Sequence, residues 1–275
     1  MYASTEQANE EPARRNPAAK ALRLLEWMTE QPAAAHYGVR EIAAGLGWTP
    51  STVHRILVLL ENDGWITSPP DTGRYQPSAR LLKLALAAAR SVPLVDVALP
   101  RIEALVEECD ETALLGFYDG ARMEMSFIAA VESRQTVRYV ADSMHDGWAP
   151  LNAGASGLAI FAFLSDEDRA RVIARKGLSA RTDRTLTDVR DLEVRVDEIR
   201  SRGYAVSIGE RTPGAAGIAA PIFDREGYVV GDVLITVPEH RFGPTAEAGL
   251  SKAVIACAHD ISGELARVDG KRGRR

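Results

Sequence analysis

The segment 39–60, VREIAAGLGWTPSTVHRILVLL, constrains the fold of this chain more than any other. Ala43 is small where two helices must cross closely. Gly47 stands four residues later, where a turn needs positive φ, and Val53 and Ile56 recur on the core side of the helix that follows. Thr49 and Pro50 are of the types that cap and open a helix. Before this segment, Ala21, Leu24, Leu25 and Met28 repeat at helical spacing over 18–29, with Asn16 and Pro17 as cap and first-turn residues. After it, Asn62-Asp63-Gly64 stops the helix, and 65–67 and 74–76 flank a turn holding Pro69, Pro70, Asp71 and Gly73. Three helices and a hairpin predict a winged helix-turn-helix.

Turning Val53, Ile56, Leu57 and Leu60 inward points Ser51, Arg55, Val58 and Asn62 outward, with Thr52 and His54 on the shoulders. The expected DNA contacts are Arg40, Thr49, Ser51, Thr52, His54, Arg55 and Arg74. Arg55 suits a guanine edge or a phosphate, and Arg40 and Arg74, the latter placed at the wing tip, suit phosphates. A lone Arg on an amphipathic helix is more often a solvated charge, so the surrounding motif is what favours a reading role. The charge distribution agrees. Residues 17–90 carry eight Lys/Arg against six Asp/Glu, within a chain whose net charge is −5. That local excess is modest, so two copies acting together are expected on double-stranded DNA.

A chain of 275 residues, 46% hydrophobic, has room for a second domain. The segment 78–90, SARLLKLALAAAR, is a strong helix former covered with Leu and Ala on nearly every side, and it is expected to pack against its counterpart in another copy. Beyond Pro93, helical spacing over 95–109 gives way to a hairpin, 112–118 and 122–130 around Asp119-Gly120, and a strand at 136–140. Helices follow at 157–164, 166–176 and 191–202, then strands at 204–208, 216–223 and 228–236 and a closing helix at 245–268. This order predicts an α+β fold with an antiparallel sandwich of sensor type. The expected division is a disordered tail over 1–16, the winged domain over 17–78, a linker helix over 79–92, an effector-binding domain over 93–268 and a disordered basic tail over 269–275. Cys109 and Cys257 are expected as buried thiols in a cytoplasmic protein that makes no use of a membrane.

The segments AAKALRLLEWM, VREIAAGLGWTPSTVHRILVLLENDGWI, GRYQPSARLLKLA, PLNAGASGLAIFAFL, RGYAVSIGE and GAAGIAAPIFDREGYVVGDVLITVP, in this order, resemble the isocitrate lyase regulator (IclR) family of bacterial transcription factors. The resemblance spans about 18–265, and S-T-x-x-R in the third helix together with G-x-A-x-P-[IV]-F-D is its narrowest part. It implies an N-terminal DNA-binding domain, a dimerising linker helix and a GAF-like α/β effector domain, often assembled as a dimer of dimers. It also implies operator DNA and a small-molecule effector as partners, commonly with repression as the outcome.

The resemblance places the effector among Ala155, Ser156, Ser207, Ala215, Gly217, Leu234 and Thr236. Independently, AGASG sets backbone N–H groups at a helix N-terminus, where a carboxylate binds well, although a tight turn without a ligand has the same sequence. Several relatives carry polar or thiol side chains at the positions of Gly217 and Leu234, and commonly Lys at that of Leu158. A larger, more apolar pocket is therefore expected here, suited to an aromatic or apolar metabolite with one polar end. The competing reading is a small-molecule hydrolase using Ser156, Glu210, His145 and His240. No G-x-S-x-G, GK[ST], H-E-x-x-H or C-x-x-C motif supports it, and Glu210-Arg211 reads as a salt-bridging loop pair. Cys109, Cys257, His145, His240 and His259 lack metal-ligand spacing, so neither a metal nor another cofactor is expected. A third reading keeps the winged helix but uses it to bind protein.

Overall fold

The computed structural model describes residues 16–31, 36–70, 72–89, 93–138 and 147–272, in two compact units, Met1–Ser91 and Val92–Arg275. The tails at 1–15 and 273–275, Asp71 and His145 lie outside the described residues.

In the first unit, α1 (Pro17–Glu30) starts where the Asn16 side chain accepts from Ala18 N at 2.9 Å. Helix α2 (Val39–Leu46) ends at Gly47, whose φ of 65° lets the chain reverse while Trp48 N donates to the Ala43 carbonyl at 2.9 Å. Helix α3 (Pro50–Asn62) follows, capped by Thr49. Leu24, Met28, Ile42, Ala43, Val53, Ile56, Leu57 and Leu60 close one core between the three helices. Strands β2 (Ile66–Thr67) and β3 (Arg74–Pro77) form the wing, and β1 (Tyr37–Gly38) adds a third strand beside β3, giving the order β1-β3-β2. A strand of two residues has no alternation to read, so β1 left no trace in the sequence pattern.

Helix α4 (Ala79–Ala89) is rooted firmly in this unit. Ser78 Oγ donates to the Gly64 carbonyl at 2.6 Å, and Arg80 donates to the Asp63 carbonyl while stacking 4.3 Å from the centroid of the Trp65 ring. Beyond that root, Leu82, Leu84 and Leu86 are 60%, 53% and 55% exposed.

The second unit runs α5 (Leu94–Cys109), β4 (Thr112–Asp119), β5 (Glu124–Val131), α6 (Gly154–Phe163), α7 (Asp166–Lys176), α8 (Val189–Arg202), β6 (Ala205–Ile208), β7 (Ala215–Phe223), β8 (Val229–Pro238) and α9 (Pro244–Arg272). Its five strands pair antiparallel in the order β5-β4-β8-β7-β6. Alternation along each strand separates two cores. Ala113, Leu115, Ile218 and Ile235 face α5 and α9, while Leu114, Phe127 and Ala219 face the layer of α6, α7 and α8. Helix α6, GASGLAIFAF, is apolar all round because it is packed all round. Leu158, Ile160 and Phe161 have no exposed surface, and each contributes about 1.5–3 kcal/mol by burial. Cys109 is half-buried, Cys257 is buried, and both are free thiols.

Several expectations need correction. Helix α6 begins at Gly154 rather than 157, because the AGASG run itself makes the first helical turn. Residues 136–138 form no strand, and 139–140 lie outside the described residues. Helix α9 continues to Arg272, into the segment expected to be a loose basic tail.

Candidate DNA interface and effector pocket

Ser51, His54 and Arg55 are exposed along α3, and Thr52 is half-buried beside them. Four buried positions on the opposite side, Val53, Ile56, Leu57 and Leu60, fix that rotation of the helix. Thr49 is committed locally, since its hydroxyl oxygen accepts from Thr52 N at 3.4 Å and lies 2.9 Å from Thr52 Oγ1 and 3.2 Å from Ser51 Oγ. Arg40 is exposed near the start of α2. Arg74 opens β3 instead of sitting at the wing tip. Its guanidinium donates to the His36 carbonyl at 2.6 Å and to the Glu41 carboxylate at 3.0 Å, tying the wing to the N-terminus of α2. That engagement gives Arg74 a structural role in the wing.

In the second unit, the N-terminus of α6 and the facing ends of β6, β7 and β8 enclose a cavity of about 40 Å³. Ala155, Ser156, Ser207, Ala215, Gly217, Leu234 and Thr236 all line it. Phe127, Gly154, Arg211, Thr212 and Ala216 line it as well, and these five were missed. The walls are largely apolar, as expected, but the space is not large. About 40 Å³ holds little more than water, whereas an apolar cavity that accepts benzene is on the order of 150 Å³. The Leu234 side chain accounts for part of this. Its Cδ1 would lie 3.0 Å from a Cβ at position 217, so it occupies the room that Gly217 leaves.

The electrostatics of the cavity centre on two residues. Arg211 brings a guanidinium to the wall, its Cζ 5.0 Å from the centroid of the Phe127 ring and its Nη1 3.4 Å from Met125 Sδ. Gly154, with φ of 84°, gives Arg211 its place, since a Cβ there would meet Arg211 Cβ at 3.0 Å. Behind the wall, Asp232 of β8 is fully buried, and its Oδ2 accepts from Ser156 Oγ at 2.6 Å. Burial pushes the Asp232 carboxyl up to about 7, against the opposing pull of the Ser156 hydrogen bond and the Arg211 charge.

Glu210 and Arg211 do not pair with each other as expected. Glu210 turns inward to Arg195 at 3.2 Å, and burial raises its carboxyl despite that cation, whereas Arg211 turns to the cavity. Among the described residues Ser156 has a carboxyl neighbour but no histidine beside it in the cavity wall, and His240 is exposed in the turn Glu239–Arg241. Among the described residues no cluster of His, Cys, Asp and Glu could hold a metal ion, and no helix is long and apolar enough to cross a membrane.

A winged helix-turn-helix in one unit and a mostly apolar cavity in an α/β unit are the parts of a transcriptional regulator with a ligand-binding domain. The model of the IclR helix-turn-helix domain matches residues 17–70, and that of the bacterial transcriptional regulator IclR C-terminal domain matches 86–263. The chain belongs to the IclR family of transcriptional regulators. It is similar to the HTH-type transcriptional regulator BhcR of Paracoccus denitrificans, 35% identical over 81% of this chain and 78% of that protein. With the transcriptional repressor IclR of Escherichia coli the identity is 27% over 88% and 87% of the two chains. An IclR homologue from Microbacterium hydrocarbonoxydans, crystallised with 4-hydroxybenzoate, shares the fold with a TM-score of 0.74 at 24% identity, covering 91% of this chain and 99% of that one.

Proposed function

We propose that this chain acts in the cytoplasm as a homodimeric repressor, or as a dimer of dimers, releasing or holding its operator according to whether an aromatic or otherwise apolar acid occupies the α6 cavity. The observation that carries the ligand class is the wall itself, in which Phe127, Ala155, Ala215, Gly217 and Leu234 surround one cation among the described residues, Arg211. The Microbacterium homologue's aromatic acid is compatible with such a wall. A ring enters only if Leu234 and Arg211 move aside, and both are only half-buried. Binding is thus coupled to rearrangement of two side chains, Leu234 on β8 and Arg211 in the turn after β6, and so favours one arrangement of the wall over another, as a population shift requires. Two winged domains then fit, or fail to fit, half-sites one helical turn or a multiple of it apart.

Titration calorimetry with aromatic acids, amides and hydrazides alongside glyoxylate and pyruvate tests the ligand class. The aromatic acids are expected to bind preferentially, and Leu234→Trp, which fills the cavity, to abolish their binding while leaving DNA binding intact. Preference for the two small keto acids would reverse the assignment.

On the DNA side, Ser51, Thr52, His54 and Arg55 are assigned to the major groove and Arg40 to a phosphate. Arg55→Ala is expected to weaken operator binding by about 1–3 kcal/mol and to relax base preference at one position of each half-site. Fluorescence anisotropy against the operator and single-base variants measures both, and unchanged affinity removes Arg55 from the reading surface.

A further inference from the structure

Two hydroxyls on the cavity wall already have acceptors for their hydrogens. Thr236 Oγ1 donates to the Ala216 carbonyl at 3.3 Å, and Ser156 Oγ sits 2.6 Å from the Asp232 carboxylate, which when ionised can only accept. What both hydroxyls offer a ligand is therefore lone pairs. Donors on the wall come instead from the Arg211 guanidinium, from the Ser207 and Thr212 hydroxyls and from the first N–H groups of α6, whose cap Ala153 offers no side-chain acceptor.

The Ser156–Asp232 pair is an expensive arrangement. Asp232 has no exposed surface, and its Oδ1 has no hydrogen-bond partner among the described residues. It stands opposite Gly116 of β4, and a Cβ at 116 would collide with Asp232 Oδ1, so that strand carries a residue without a side chain where the carboxyl needs space. A small apolar residue at 232 would fill the site without that cost. Among the described residues the one hydrogen-bond partner of the carboxyl is the hydroxyl of a cavity residue.

We propose that Asp232 is a specificity-determining positioning residue, which holds Ser156 as an obligate acceptor so that the effector must bring it a hydroxyl or N–H while giving its anionic group to Arg211. The effector class is then narrower than an apolar acid: it is a hydroxy acid, or an acid bearing an equivalent donor. This rests on the cavity being the effector site.

Calorimetry at pH 8, above the value of about 7 to which burial raises the Asp232 carboxyl, compares ligands that differ only in donor capacity, mandelate against phenylglyoxylate and 4-hydroxybenzoate against 4-fluorobenzoate. In at least one pair the wild-type chain is expected to favour the donor about tenfold or more, because the analogue leaves the Ser156 lone pairs unsatisfied. In Asp232→Ala, where the hydroxyl regains its freedom to rotate, the preference is expected to fall to within about threefold, with operator binding retained as the check on folding. Ser156→Ala provides the second variant and is expected to lose the preference as well. A merely structural role for Asp232 would shift all affinities together and leave the ratio intact, which overturns the inference. Equal binding of both members of every pair by the wild type also overturns it, yet leaves the effector pocket standing. If no compound binds, or if Leu234→Trp binds as the wild type does, the pocket assignment itself fails and this inference falls with it.

Discussion

Asp232→Asn is expected to stabilise the C-terminal unit at pH 8 by up to roughly 4 kcal/mol relative to the wild type, and to give little or no gain at pH 4. Burial between β4, β8 and α6 raises the Asp232 carboxyl from 3.8 to about 7, so the folded state favours its protonated form. Among the described residues the groups that face it are Ser156 from α6, Gly116 from β4 and the Arg211 charge from the turn after β6, and the pull of Ser156 and Arg211 is smaller than the effect of burial. With the folded value above the unfolded one, the unfolded chain releases this proton first as pH rises. The stability contribution is therefore complete below about pH 4, declines through the interval up to about pH 7, and stays lost above it. An amide at 232 does not titrate and removes the decline. Urea denaturation of wild type and variant at pH 4.5, 6 and 8 measures the difference directly, and a ΔΔG independent of pH would show that Asp232 stays ionised in the folded chain.

The double variant Leu82→Glu with Leu84→Glu is expected to lower operator affinity by a hundredfold or more without unfolding the winged domain. Both leucines are more than half exposed on a helix that is apolar nearly all round, and they point to different sides of it, so whichever face meets a second copy receives a charge. The root of the helix, Ser78 on Gly64 and Arg80 on Trp65, is untouched. Loss of the paired state turns one two-site binding event into two weak single-site ones, which forfeits the effective-concentration gain of about 10²–10⁴. Sedimentation velocity and anisotropy on one sample report both changes. Wild-type protein that is fully monomeric at micromolar concentration would rule the pairing out.

The winged domain was legible because its determinants are local. Asn16, Thr49 and Gly47 mark helix ends by short-range hydrogen bonds and backbone geometry, and the apolar repeat on α3 fixes which side faces out. The cavity was legible only through the family resemblance, which named seven residues that the fold does bring around one space. Residue types alone pointed no further than the AGASG helix start. Phe127 went unnoticed because it reaches the cavity from β5, far from the other lining residues in sequence. Arg211 was hidden by its neighbour, since adjacent opposite charges suggest a pair. The backbone sends Glu210 to Arg195 and Arg211 to the cavity. Asp232 gave no signal, because its meaning depends on Gly116 across the strand pair and Ser156 across the layer.

The most direct measurement of ligand control is the anisotropy of the duplex upstream of the chain's own gene, titrated with wild-type protein and with Leu234→Trp, each with and without the tightest-binding acid of the calorimetric panel. Expected is a preference for this duplex over competitor DNA in both proteins, with a change of about tenfold or more on adding the acid to the wild type and none in the variant. An acid that binds the wild type yet leaves its operator affinity unchanged, or a protein with no preference for the duplex, would contradict it.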